Sequence, residues 1–538
     1  MRRTTSLLVA ALSLSVLLPQ QSNAQEAPEP VQESGVFSQP GLGQYSEADD
    51  TYRVMENDVA LGLMGRVHSV TGRAQGPAQA QDAPAQRADL GVFGPSWEAD
   101  FLGGQLQRSL SINGNTLTTT ALDTGEKTVY SLTDTFDAPD GGTVTTYTSA
   151  DGSKAVDSSV WNDATGEFTS TVVETTNVDL ATAPAGDDAP KDAQGNPVSA
   201  ADLKPTYTWK RVSGGGDDWR IVTAGSKETQ SATVVYDGVG RVSQVKEPAL
   251  GERPASTVTV SYATTTTATS SALGDIAGQV KEISATVGST TQTLARYRYD
   301  DGKLLRQVTD PVAGEQINSY TYDDQDRLAT ATTDGGDTWK LTFSGDGAAP
   351  VAEDLTGNLA GPAAPMGQTP SIAQGDNGQA PPAAGFSDTE LDGSSANPSY
   401  CNTPESWMYL WYSNCATKVA HYGWRYPYYF WTPTGQRVVG IYNDWCTSSL
   451  DEPNGWNFKP ACASHDYAYG TIGNSLKRYT WYLDSNKGLA ADSAFYSMLY
   501  WYTCPRYGNK MVSCRNTAYV YYRFVVKFGS PRNGANET

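Results

Sequence analysis

All six cysteines of this 538-residue chain, Cys401, Cys415, Cys446, Cys462, Cys504 and Cys514, lie in its last quarter. The first 400 residues contain none. A chain of this length exceeds what one compact core can organise and divides into globular units and linkers. An even number of cysteines in a segment small enough to need staples predicts a disulfide-bonded C-terminal module.

The opening residues are compatible with an oxidising destination. Arg2 and Arg3 precede an apolar run from Leu7 to Leu18, and Ser22 and Ala24 form a small-residue cleavage pattern. Residues 1–24 therefore read as a signal peptide, since the run falls short of the ~20 residues that span a bilayer and a polar, proline-containing stretch follows it. The expected location is extracellular, where disulfides persist.

Texture divides the rest. Residues 25–89 are rich in Ala, Gln, Pro, Gly and Asp and read as mostly flexible, apart from the apolar stretch Val59 to Val70. From 90 to 345, Thr, Val, Ser and Tyr alternate between Asp-Gly and Gly-Gly turns, which is strand and hairpin chemistry. Residues 346–395 form a Pro/Ala/Gly/Gln tract that reads as a linker, and residues 396–538 as the disulfide-bonded module. Charge divides as well. Residues 401–538 carry 13 Lys and Arg against 8 Asp and Glu, whereas the remainder carries 25 against 51. Opposite charge on two parts of one chain implies different partners or a mutual contact, and a basic module is drawn to anionic lipid.

Within the β-rich region a motif recurs: Tyr236-Asp237 followed by Arg241, Tyr299-Asp300 followed by Lys303, and Tyr322-Asp323 followed by Arg327. The Asp and Gly after each Tyr favour a tight turn, and the apolar residue after the cation starts the return strand. The pattern resembles the YD repeats of Rhs-type proteins, in which each repeat contributes a hairpin to a winding sheet.

The string richest in chemistry is Asp444-Trp445-Cys446, fifteen intervening residues, then Cys462-Ala-Ser-His465-Asp466-Tyr-Ala-Tyr469-Gly470. On a helix Cys462, His465, Asp466 and Tyr469 share one face. If a cysteine fastens that helix to the upstream loop, Asp444 and Asp466 converge beside the imidazole, and two carboxylates with a backbone carbonyl suit a hard cation such as Ca²⁺. A second helix around Leu489 to Leu499 carries Asp492 on an otherwise apolar or small-residue pattern, placed to accept a hydrogen bond from the histidine and fix its tautomer.

These tracts, with Asp492-Ser-Ala-Phe495-Tyr496, Cys504 and Cys514, resemble the bacterial and fungal secreted phospholipase A2 family over roughly Ile441 to Gly529. The resemblance implies an all-α module with His465 as general base and Asp492 as its orienting partner. It implies Ca²⁺ held by Asp444, the carbonyl of Trp445 and Asp466, and bridges Cys446–Cys462 and Cys504–Cys514. Two departures are a Trp at 445 and a longer segment between Tyr469 and Asp492. The fold expected is thus multidomain: a β-rich, YD-repeat-like region followed by an all-α phospholipase A2 domain.

Cys401 and Cys415 would form a third bridge by parity. Interfacial binding to a phospholipid membrane or micelle falls to aromatics such as Trp424, Tyr428, Tyr429, Phe430 and Trp431, near Arg425 and Arg437, although ordinary core packing accounts for most of them. His68 and His421 lack recognisable partners and read as surface histidines. The function expected is hydrolysis of the sn-2 ester of glycerophospholipids by a monomer that binds no nucleic acid. The alternatives are a surface or toxin-delivery protein carrying the phospholipase as payload, and a non-catalytic calcium- or lipid-binding scaffold.

Overall fold

Strand-forming alternation and tight turns produce a meander. The computed structural model describes residues 37–72, 87–178, 198–355, 446–465 and 487–528, apart from short stretches within these ranges, together with 429–431 and 437–439. Eighteen strands, from β6 (Arg108–Asn113) to β23 (Pro350–Asp354), form a closed barrel. Successive strands pair antiparallel, as β6 does with β7 (Thr116–Ala121) and β22 (Thr338–Phe343) with β23. The barrel thus ends inside the stretch read as linker, with Pro350 as the first residue of its strand, a position where a missing N–H is tolerated.

The recurring Tyr-Asp motif builds one turn three times. In the first copy Asp237 Oδ1 accepts from the Val239 and Arg241 amides and Oδ2 from Arg241 Nε at 2.9 Å. Asp323 does the same with Gln325 and Arg327, whose Nε lies 2.7 Å from Oδ2. In the middle copy the cation bound to Asp300 is Arg306, at 2.6 Å, and not Lys303, which occupies the positive-φ position of the turn. Each guanidinium also lies over a ring: Arg241 on Tyr262, Arg306 on Tyr322 and Arg327 on Phe343.

A barrel of this size leaves a lumen that side chains alone do not fill. Residues 37–72 and 87–100, largely read from composition as flexible, supply part of the filling. β1 (Phe37–Ser38), β2 (Gln44–Ser46), β3 (Thr51–Val59), β4 (Met64–Thr71) and β5 (Glu98–Asp100) form a separate five-stranded sheet. Tyr52, Val54 and Met64 from this sheet and Trp97 beside it join one core with barrel residues Tyr297, Tyr320 and Val258. Composition missed this because the sheet takes its partners from far along the chain. Buried Arg66 pairs with Asp58 at 2.9 Å, donates from Nη2 to Tyr320 Oη at 2.8 Å and lies 4.3 Å from the Trp97 ring centre.

His68 is not the surface histidine expected. It is buried, its Nδ1–H donates to the Ser96 carbonyl at 2.7 Å, and its Nε2 accepts the Leu328 amide at 3.2 Å. These partners select the neutral ring, and burial pushes its pKa from 6.5 down to about 4. Between those values the unfolded chain binds a proton that the folded chain does not. Stability present above about pH 6.5 is therefore lost as pH falls toward 4, by about 3 kcal/mol from this group. In urea unfolding at pH 7 and pH 4, the native protein should lose about that much more stability than His68→Gln; equal losses would contradict the assignment.

Two helices follow, α1 (Lys487–Ser497) and α2 (Met511–Phe528), joined by a π-helical turn over Met498–Thr503 and a 3-10 stretch over Cys504–Lys510. The expectation of an all-α module is corrected in one respect, since Tyr429–Trp431 pairs antiparallel with Arg437–Val439 as a small hairpin.

Candidate active site

The helical module packs around a second core, to which Leu63 and Val67 of the β3–β4 hairpin and Leu250 of the barrel also contribute. Trp456, Phe458, Cys462, Phe495, Leu499, Tyr519 and Tyr521 pack together, with Phe458 edge-on to Tyr521 at 5.0 Å. The bridges Cys446–Cys462 and Cys504–Cys514 form, with Cα separations of 5.0 and 5.4 Å. The first fastens Cys446 to the helical turn containing Cys462 and His465. The second ties the start of the 3-10 stretch to α2.

His465 and Asp492 meet across these elements. Asp492 is fully buried in α1, and its Oδ1 lies 2.7 Å from His465 Nε2. Phe495, one helical turn beyond Asp492, places its ring 5.1 Å from the imidazole and limits its rotation. Small neighbours make room, with Ala491 and Ser493 flanking the carboxylate and both buried. Asp444, Trp445, Asp466, Cys401, Cys415, His421, Trp424, Arg425 and Tyr428 lie outside the described residues, and Tyr429, Phe430, Trp431 and Arg437 are placed only as hairpin backbone. The Cys446–Cys462 bridge does join the two segments that carry Asp444 and Asp466 in sequence. Their donor chemistry, two carboxylates and a carbonyl, fits a hard divalent cation.

The module is gripped by the barrel, which the sequence reading did not locate beyond opposite charge. Along α2, residues spaced by four face the barrel. Arg515 pairs with Asp123 at 2.7 Å, Tyr519 Oη donates to the Ala224 carbonyl at 3.3 Å, and Arg523 Nη1 donates to Glu247 at 3.0 Å. Lys527 pairs with Glu228, and Glu126 accepts the Val512 amide at 3.0 Å, capping the helix N-terminus. Burial pushes the Glu126 carboxyl up to about 7 in that position.

From α1 and the turn after it, Tyr496 and Tyr500 donate to the carbonyls of Gly103 and Gly104 at 3.1 and 3.2 Å, and Trp501 Nε1 donates to Asp100 at 3.0 Å. Gly103 and Gly104 have φ of +59° and +83°, and a Cβ on either would come within 2.3 or 2.6 Å of those tyrosine rings. Burial pushes Asp100 up to about 7 despite the Trp501 bond. The readable signal was the run Arg515, Tyr519, Arg523, Lys527 at helical spacing.

Residues 435–529 match the model of the prokaryotic phospholipase A2 family. A secretory phospholipase A2 of Arthroderma benhamiae is 40% identical over 91 residues, which cover 16% of this chain and 57% of that protein. The chain thus spans little more than half of this relative. Two crystal structures, titled TcdB2-TccC3-TEV and TcdB2-TccC3-Cdc42, align with 59% of the chain at 13% and 12% identity and cover 14% and 16% of their own chains. Their TM-scores of 0.20 and 0.19 fix neither fold nor function. The first two matches place a phospholipase A2-type domain at the C-terminal end of the chain.

Arg515 is buried and the Asp123 side chain is only 10% exposed, so removing one leaves the other's charge poorly solvated. Asp123→Ala should cost about 3 kcal/mol or more, and the double variant Asp123→Leu/Arg515→Met should cost less than either single change. Denaturant unfolding of the four proteins checks this, and additive losses would show that the pair is not coupled.

Proposed function

We propose that the protein is an exported, calcium-dependent phospholipase A2 that hydrolyses the sn-2 ester of glycerophospholipids. The observation that carries this reading is the buried His465–Asp492 contact within a disulfide-bonded segment matching that family. The two bridges and the secretory relative support export.

Asp492, bonded to Nε2, holds the proton on that nitrogen and directs Nδ1 to the proton-accepting role. Neutral His465 takes a proton from a water molecule as that water attacks the ester carbonyl, and the imidazolium so formed is stabilised by Asp492. No acyl-enzyme is required. Asp444, the Trp445 carbonyl and Asp466 would hold Ca²⁺, which supplies charge stabilisation for the ester oxygen and the phosphate. The partner is a phospholipid membrane or micelle surface.

A second reading, in which a YD-repeat-like barrel delivers the phospholipase as payload, is favoured by the run of contacts between α2 and the barrel. Both readings require the same chemistry.

Fatty-acid release from phosphatidylcholine vesicles by the oxidised full chain, before and after limited proteolysis, tests it. Release should require calcium and stop with chelator. His465→Ala should lower it by about 10³-fold and Asp492→Asn by about 10²-fold or more. Correctly folded protein that releases no fatty acid in either state would move the assignment to the non-catalytic scaffold.

A further inference from the structure

The connection between β15 (Val242–Glu247) and β16 (Ser256–Tyr262) of the barrel reaches into the helical module at four points. At its start Glu247 binds Arg523 of α2. Leu250, 6% exposed, is counted in the module's core with Trp456 and Phe495 and not in the barrel's. Gly251, at φ +58°, lies so close to the C-terminal turn of α2 that a Cβ would come within 2.3 Å of the Lys527 carbonyl. Arg253 then places Nη2 on Oδ2 of Asp492, the second oxygen of the carboxylate whose Oδ1 engages His465. Reciprocal backbone bonds between Leu250 and Arg253, both 3.0 Å, close the turn and fix this geometry.

We propose that this turn is an autoinhibitory clasp, in which Arg253 occupies the catalytic carboxylate and must withdraw before the phospholipase acts; the proposal rests on the phospholipase reading. A guanidinium on Oδ2 draws the carboxylate's charge away from the imidazole and opposes the imidazolium that forms when His465 takes a proton. Arg253 lies well outside residues 435–529, so it is no part of the machinery that the family match covers.

His465 is 8% exposed, and Arg253 also lines a cavity of about 40 Å³ with Leu61, Leu250, Tyr522 and Val526, whose lining does not include His465. The clasp is poised to release as well as to hold. Arg253 Nη1 is buried with no hydrogen-bond partner among the described residues, and leaving such a donor unsatisfied disfavours the closed state. One strong charge-assisted bond is thus offset by one orphaned donor on the same side chain.

The full oxidised chain, Arg253→Gln and Arg253→Lys are compared by two readouts after thermal melting confirms that each is folded. One is fatty-acid release from phosphatidylcholine vesicles with calcium. The other is the rate at which diethyl pyrocarbonate modifies His465, followed by mass spectrometry of its peptide, which needs no turnover. Arg253→Gln should raise both by about tenfold or more, the effect of one charge-assisted hydrogen bond on an opening equilibrium. Arg253→Lys, which keeps a cation at Asp492, should stay nearer the native rates. Unchanged rates, or slower hydrolysis in Arg253→Gln, would overturn the clasp and make Arg253 inert or supportive. Faster labelling with no hydrolysis by any form would leave the clasp standing and remove the phospholipase reading.

Discussion

The structure depends on the contact between α2 and the barrel. A single helix presents Arg515, Tyr519, Arg523 and Lys527 along one face, and the barrel answers with Asp123, the Ala224 carbonyl, Glu247 and Glu228. Buried ion pairs of this kind contribute little net stability, because desolvation cancels much of the attraction. What they supply is registration, since a slip of one residue would leave several charges buried without partners. That registration sets where α1 lies, and with it Asp492, His465 and the barrel turn that reaches them.

The same contact explains the uneven charge of the chain. The acidic excess before residue 400 and the basic excess after it read in the sequence as different partners or a mutual contact. Among the described residues, three cations of α2 are spent on barrel carboxylates, so part of the asymmetry is internal complementarity. Arg253 and Asp492 reverse the signs, with the cation on the barrel and the carboxylate on the module. That reversal falls at the carboxylate bonded to His465.

Local chemistry was legible in the sequence and long-range pairing was not. The Cys446-to-Cys462 spacing and the His465 motif pointed to a stapled helical site, and the two bridges and the His465–Asp492 contact are present. The Tyr-Asp motif announced its turns at Asp237, Asp300 and Asp323, because the Asp side chain caps the turn locally in each. At Asp300 the cation on the carboxylate is Arg306 of the return strand, a pairing the motif does not carry. Burial of His68 and Arg66 was unreadable, since their partners Leu328 and Tyr320 lie more than 250 residues away. Arg253 carried no motif at all, and only the fold brings it to Asp492.

If barrel and module form one registered unit, the amides of α1 and α2 open only when the barrel releases them. Hydrogen exchange of the full chain measures this directly. Amides over residues 491–526 should be protected to the same degree as those of the barrel strands they touch, and Asp123→Ala should expose them selectively. Exchange of α1 and α2 at rates unaffected by that change, with the barrel still protected, would contradict the account by showing that the module's stability owes nothing to the barrel.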